Sequence, residues 1–187
     1  MEGIMVLHDY YIGKAFDAWE YFGAHITEGG VLFRVYAPNA EMIELIGDFN
    51  GWDGSSSVMT VLEQSGVFEL FVPEAGPGQM YKYRIYQSDG IVMDRFDPYS
   101  FGSELRPNNA SVIVDIDSYE FHDGAWMEKR SKNYDDPVNI YEVHAGSWRT
   151  DPDDENGWYR YDELARILAP YLKEEGYTHV EFLPLME

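Results

Sequence analysis

Met80-Tyr81-Lys82-Tyr83-Arg84-Ile85-Tyr86-Gln87 alternates strictly, with Tyr81, Tyr83 and Ile85 on one side and Lys82, Arg84 and Tyr86 on the other. A period of two marks a strand with one face in a core and the other in water, the arrangement typical of antiparallel sheets. Asp89-Gly90 follows, a pair suited to a tight hairpin because glycine accepts positive φ. Working outward, short runs rich in β-branched and aromatic residues recur at 31–37, 42–47, 67–73 and 111–117. Pro38-Asn39, Ser65-Gly66 and Gly76-Pro77-Gly78 separate them with turn chemistry. The spacing predicts a mostly β fold, with a sandwich over residues 26–118.

The flanks read differently. Residues 1–25 carry Tyr10, Tyr11, Phe16, Trp19, Tyr21 and Phe22, and Ile12, Ala15, Phe16, Trp19 and Phe22 fit one helical face. Gly13 and Gly23 keep that helix short, so this lead-in is expected to be a loop with a short helix packed against the β domain downstream. Residues 119–136 are polar and read as a linker. From 137 to 187 the pattern becomes strand, helix, strand. Residues 138–143 form an apolar run. Leu164, Ile167, Leu168, Tyr171 and Leu172 then repeat at helical spacing, with Asp162 and Glu163 in the first turn, Pro170 inside and Gly176 as the stop. Residues 177–183 are a second apolar run. The expected unit is a parallel β-α-β. Such a pair needs helices on both faces, so it reads as the start of a larger α/β domain.

Composition narrows the function. The chain has 187 residues, 34 Asp and Glu against 13 Lys and Arg, and a formal charge of -21. A field of that sign repels phosphate backbones and anionic lipid, so neither nucleic acid nor membrane is an expected partner. Neutral polymers such as polysaccharides meet no such penalty. With no cysteine, disulfides and thiolate metal sites are excluded. No apolar run approaches the ~20 residues that cross a bilayer, and a cytoplasmic location is expected. Asp151, Asp153, Asp154 and Glu155 lack calcium-loop spacing and read as a solvated loop, so neither a metal nor any other cofactor is expected.

Several segments in order resemble one family. Gly23-Ala24-His25 is similar to the lead-in of branching enzymes. Ala37-Pro38-Asn39-Ala40 and Gly47-Asp48-Phe49-Asn50-Gly51-Trp52 resemble carbohydrate-binding module family 48. Ile140-Tyr141-Glu142-Val143-His144-Ala145-Gly146-Ser147-Trp148-Arg149 and Gly176-Tyr177-Thr178-His179-Val180-Glu181-Phe182-Leu183-Pro184 look like the first two barrel strands of bacterial 1,4-α-glucan (glycogen) branching enzymes, in glycoside hydrolase family 13. The resemblance implies an immunoglobulin-like β-sandwich followed by an incomplete (β/α)8-barrel start. It also implies a glycosyltransferase that moves α-1,4-glucan segments onto 6-hydroxyls with retention of configuration. The family's nucleophile, acid and stabilising Asp follow later barrel strands. No catalytic residue is therefore expected here, and the chain alone is expected to be inactive.

Trp52 lies in a turn-rich loop, where an exposed indole could stack on a pyranose face, a contact of ~1 kcal/mol or more. Its alternative is a Trp capping one end of the sandwich. By resemblance, Lys82 and Asn109 join Trp52 along an α-glucan groove for glycogen or maltooligosaccharide, with Asn108 and Ser111 nearby. Ordinary turn, cap or solvated-strand roles remain the alternatives for these polar residues. The groove's second aromatic is replaced by Ile91-Val92-Met93-Asp94. Glu142, His144, His179 and Glu181 are read as barrel packing. Competing readings are a stand-alone glycogen-binding module, a sandwich that only braces the barrel, and a debranching relative. Apolar strand faces in 137–187 point to self-association or disorder of that third.

Overall fold

The computed structural model describes residues 2–62, 65–130 and 135–185, so 131–134 of the linker lie outside the described residues. The chain divides into two compact units, Met1–Phe121 and His122–Glu187.

In the first unit α1 (Glu2–Tyr11) precedes β1 (Gly23–Thr27), β2 (Gly30–Tyr36), β3 (Ala40–Gly47), β4 (Thr60–Val61), β5 (Val67–Val72), β6 (Met80–Gln87), β7 (Val92–Arg95), β8 (Gly102–Ser103) and β9 (Ser111–Val112). Two antiparallel sheets result. One runs β1-β2-β5-β4; the other runs β3-β6-β9-β8, with β7 also on β6. Between them lies the core, where Val31, Phe33, Val35, Ile43, Leu45, Phe68, Tyr81 and Tyr83 are buried. The alternation in β6 is realised: Tyr81 and Tyr83 face inward, while Lys82, Arg84 and Tyr86 are partly exposed. After β6, Gly90 adopts φ +81, as a hairpin turn requires.

The lead-in corrects one expectation. The helix is α1, upstream of the periodic stretch, and Gly13 at φ +70 follows its last turn. Residues 12–22 are turns with one short 3-10 segment, Ala18–Glu20, and Phe16 is 93% exposed. A second buried cluster does the packing. Phe22, Ala18 and Val67 are covered by Leu7, Tyr10, Tyr36 and Tyr99, with Phe22 stacked on Tyr99 at 5.2 Å between ring centroids. The strand expected over 111–117 is also shorter than its sequence suggested, being confined to β9.

In the second unit α2 (Gly124–Lys129) precedes β10 (Ile140–Val143), the single-turn α3 (Ala145–Trp148), α4 (Tyr161–Glu174) and β11 (His179–Phe182). The two strands pair in parallel, Ile140 opposite His179 through Val143 opposite Phe182. The described residues of this third form the expected strand, helix and strand. Leu164 and Leu168 of α4 are buried with Val143. Trp148 Nε1 donates to the Tyr141 hydroxyl at 3.0 Å, and the Arg149 guanidinium lies 4.3 Å from the centroid of the Trp148 ring. Ile140, Val180, Phe182 and Leu183 remain exposed. Among the described residues no helix is long and apolar enough to cross a membrane.

Candidate functional site

The loop after β3 turns back over the outer face of its own sheet. Gly47 allows the first approach, since a Cβ there would stand 2.5 Å from the Met80 carbonyl. Gly54 allows the second, for the same atom would meet Glu44 Cβ at 2.6 Å and Ile46 Cγ2 at 2.9 Å. Ile46, on the outward side of β3, is thereby buried, and its ladder partner across the sheet is Lys82. Asn50 staples the loop: its amide accepts from Gly47 N and donates to Leu45 O and Ser57 Oγ. Its hydrogen-bonding capacity is spent on the fold.

Trp52 takes φ +64, the one non-glycine residue with positive φ among the described residues. For a bulky side chain this backbone costs about 1–3 kcal/mol and persists only where the surroundings over-determine it. They do. Trp52 N donates to Gly47 O at 2.9 Å, and its indole Nε1 donates to Asp48 Oδ1 at 3.0 Å. Asp48 Oδ2 in turn accepts from Met80 N at 2.7 Å, where β6 begins. One carboxylate therefore holds both the aromatic side chain and the strand that carries Lys82. With 37% of its surface exposed, the indole is a fixed platform and not a core residue.

Lys82 Nζ donates to Asn109 Oδ1 at 2.7 Å. The structure thus joins two of the three sequence-assigned residues directly, and ties Trp52 to the same strand through Asp48. Ser111 is buried, whereas Asn108 is exposed beside Asn109. Asn108 donates to Glu104 Oε1, and the Ser111 hydroxyl accepts from Asp97 N. Next to Lys82 on β6, Arg84 forms a two-pronged pair with Asp94 at 2.8 and 3.1 Å, and that guanidinium holds the Asp94 carboxyl below its usual range. Ile91 and Val92, where a second aromatic was sought, are about half exposed and offer apolar area without a ring.

Beneath the site lies a residue that sequence reasoning missed. Asp97 is 2% exposed. Its Oδ2 accepts from the Tyr81 and Tyr83 hydroxyls at 2.8 and 2.9 Å, and its Oδ1 accepts from Tyr99 N at 2.8 Å. Burial raises its carboxyl above the ordinary carboxylate range despite these donors, and raises both phenols further above theirs. Asp97-Pro98-Tyr99 follows branching enzyme order in the sequence, but its role could be sought only through the two tyrosines on the inner face of β6, since tyrosines in a core seek an acceptor.

In the second unit Glu142 and Glu181 are exposed neighbours in the parallel ladder, and His179 is exposed beside them. The packing role read from the sequence is therefore not realised among the described residues. His144 Nδ1 pairs with Ser147 Oγ at 2.8 Å. A cleft of about 720 Å³ opens at the carboxyl ends of β10 and β11, bordered by His144, Trp158, Tyr161, Asp162 and Leu185. Ligands of parallel α/β sheets occupy that end. The acidic loop caps its own backbone, with Asp154 Oδ1 accepting from Asn156 N and Trp158 N. Among the described residues no group of three or more His, Asp or Glu is gathered to hold a metal.

An antiparallel sandwich with a braced, exposed tryptophan beside a lysine–asparagine pair has the makings of a sugar-binding module. Residues 21–100 match the family model of carbohydrate-binding module 48 (isoamylase N-terminal domain). The chain as a whole is homologous to the 1,4-alpha-glucan branching enzymes GlgB: 44% identical to that of Bacillus caldolyticus over 94% of this chain and 27% of the enzyme. The enzyme of Gloeobacter violaceus is also 44% identical, over 90% of this chain and 24% of its own length. The chain thus spans about a quarter of the length of the curated relatives it matches. Among solved structures, a putative alpha amylase from Salmonella typhimurium superposes with a TM-score of 0.63 at 29% identity, covering 89% of this chain and 25% of that one. A maltotriose complex of a PulA variant from Klebsiella pneumoniae gives 0.60 at 25% identity, covering 89% and 20%.

Proposed function

We propose that this chain is the non-catalytic front part of a cytoplasmic 1,4-α-glucan branching enzyme, and that its sandwich binds α-glucan across Trp52, Lys82 and Asn109. The observation that carries the binding reading is the Asp48 carboxylate, which fixes the Trp52 indole against the strand bearing Lys82. A strained, exposed aromatic held by two bonds is preorganised, so little ordering cost remains when a pyranose stacks on it. Lys82 and Asn109 then offer donors to sugar hydroxyls. The parent reaction would transfer an α-1,4 segment to a 6-hydroxyl, through a nucleophile and an acid that we place outside these 187 residues.

The domain reading rests on the same logic: a lead-in over 1–25, a binding module over 26–118, a linker over 119–136 and the first β-α-β of the catalytic barrel from 137. In that reading the cleft at the ends of β10 and β11 is one wall of the barrel's active-site mouth. Isothermal titration with maltoheptaose tests the binding claim. Heat that saturates for the parent chain and is lost on Trp52→Ala supports it, and equal titration curves refute it. An assay of new α-1,6 linkages tests the other half, and any branching by the 187-residue chain contradicts it.

A further inference from the structure

A second concavity lies on the same module, where one strand changes sheets. Segment 57–61 begins on the β3 side, with Met59 N donating to Ile43 O, Leu45 N donating to Ser57 O, and Val58 bridged to Glu44. Two residues later it has crossed, and Thr60 pairs with Glu69 and Val61 with Phe68 on β5. Leu62 N donates to Val67 O, which makes Leu62–Val67 and Thr60–Glu69 the hydrogen-bonded pairs of this ladder. The next such pair would be Val58 with Phe71. The bonds to β3 are made by Ser57 O and Met59 N, and by position 58 the chain has left β5, so the N–H and C=O of Phe71 face the gap where the strands part.

A pocket of about 490 Å³ fills that gap, between Phe49, Ser56 and Ser57 on one side and Leu70, Phe71 and Glu74 on the other. Phe49 and Leu70 form an apolar floor, since both pack against the core. The Ser56 hydroxyl, the Glu74 carboxylate and the Phe71 backbone supply donors and acceptors around it, and Phe71 is 45% exposed. A small apolar floor ringed by neutral donors, acceptors and one carboxylate suits a polyhydroxylated ring. It does not suit an added peptide strand. The free edge is one residue long and is closed by Pro73, which has no N–H to give.

We propose that this pocket is a second α-glucan site, which takes a glucosyl unit between Ser56 on one wall and the Phe71 backbone and Glu74 on the other, independently of Trp52. The proposal rests on the α-glucan reading above, and it uses a different side chain of the same loop: Ser56 here, Asp48 and Trp52 there. Two sites on one small module would let it hold two chains, or two turns of one chain.

Amide nuclear magnetic resonance on the 187-residue chain, titrated with maltotriose, separates the two claims. The Trp52 indole N–H reports the first site, and the amides of Ser56, Phe71 and Glu74 report the second. In Trp52→Ala the second set is expected to keep shifting. Ser56→Ala is expected to weaken those shifts, and Glu74→Gln, which leaves the β5 backbone and its packing untouched, to abolish them. In both variants the Trp52 indole should still respond. Silence of the second set in Trp52→Ala overturns the proposal, and so does an equal response to glycerol at matched hydroxyl concentration. A silent Trp52 indole with shifting Ser56, Phe71 and Glu74 refutes the first site and leaves this one standing.

Discussion

Lys82 Nζ donates to Asn109 Oδ1 at 2.7 Å, a bond that joins the middle of β6 to the residue just ahead of Ala110 and β9. Lys82 is part-exposed and Asn109 exposed, so this contact contributes little to folding, typically under about 1 kcal/mol, and in the proposed function it serves the glucan groove. Lys82→Met and Asn109→Ala should therefore each leave thermal stability nearly unchanged while weakening glucan binding. Their effects on binding should fall short of additivity in a double-mutant cycle, because one bond is lost in either variant. Titration calorimetry on the four proteins measures this directly.

The Asp48 carboxylate is the brace and not the platform. Asp48→Ala leaves the indole in place chemically but frees both Nε1 and the Met80 N–H. Loss of preorganisation should cost about 1 kcal/mol of binding, or about fivefold in Kd. A variant that binds as tightly as the parent would show that Trp52 needs no brace.

Asp97 makes a prediction about stability and pH. In Asp97→Asn an amide oxygen on the two tyrosine hydroxyls sets the amide nitrogen against the Tyr99 N–H, and the reverse orientation makes the hydroxyls turn from donating to accepting. A destabilisation of about 1–3 kcal/mol is expected. The sign with pH comes from the raised folded pKa. The stabilisation linked to this group is full below its ordinary value of 3.8 and is lost as pH rises through the raised folded value. The parent's advantage over the variant should therefore be largest in acid and shrink as pH rises. Urea denaturation across that range checks it.

In the second unit the Trp148 indole bonds to the Tyr141 hydroxyl and lies under Arg149. Trp148→Phe removes the bond and part of the stacked area, so this unit should lose about 1–2 kcal/mol while the sandwich keeps its stability. Separate transitions in hydrogen exchange would distinguish the two.

Ile140, Val180, Phe182 and Leu183 leave apolar strand surface open on β10, β11 and the residue after β11. Concentration-dependent association of the 187-residue chain is the expected outcome in sedimentation velocity, and Phe182→Glu should reduce it. A single monomeric boundary across concentrations would contradict this.

The sandwich was readable because β6 is half wet, and a period of two survives only where one face meets water. The parallel pair was readable as two short strand-like runs, 138–143 and 177–183, flanking an amphipathic helix. Local pattern misled where glycine geometry decided the path. Residues 12–22 have helical spacing, yet the positive φ of Gly13 closes α1 before they begin. Trp52 could be named from residue type and setting, and Lys82 and Asn109 from the family resemblance. Asp48 could not, because its role depends on Met80, 32 residues away. Asp97 and the sheet-switching segment 57–61 were hidden for the same reason: their partners are fixed by the fold and not by neighbours in sequence.

Affinity electrophoresis through glycogen tests the central claim most directly, with the parent chain and Trp52→Ala run side by side and a glycogen-free gel as reference. The parent should be retarded by glycogen, and the variant should migrate clearly ahead of it. An unretarded parent, or equal retardation of the two, would contradict a glucan groove built on Trp52.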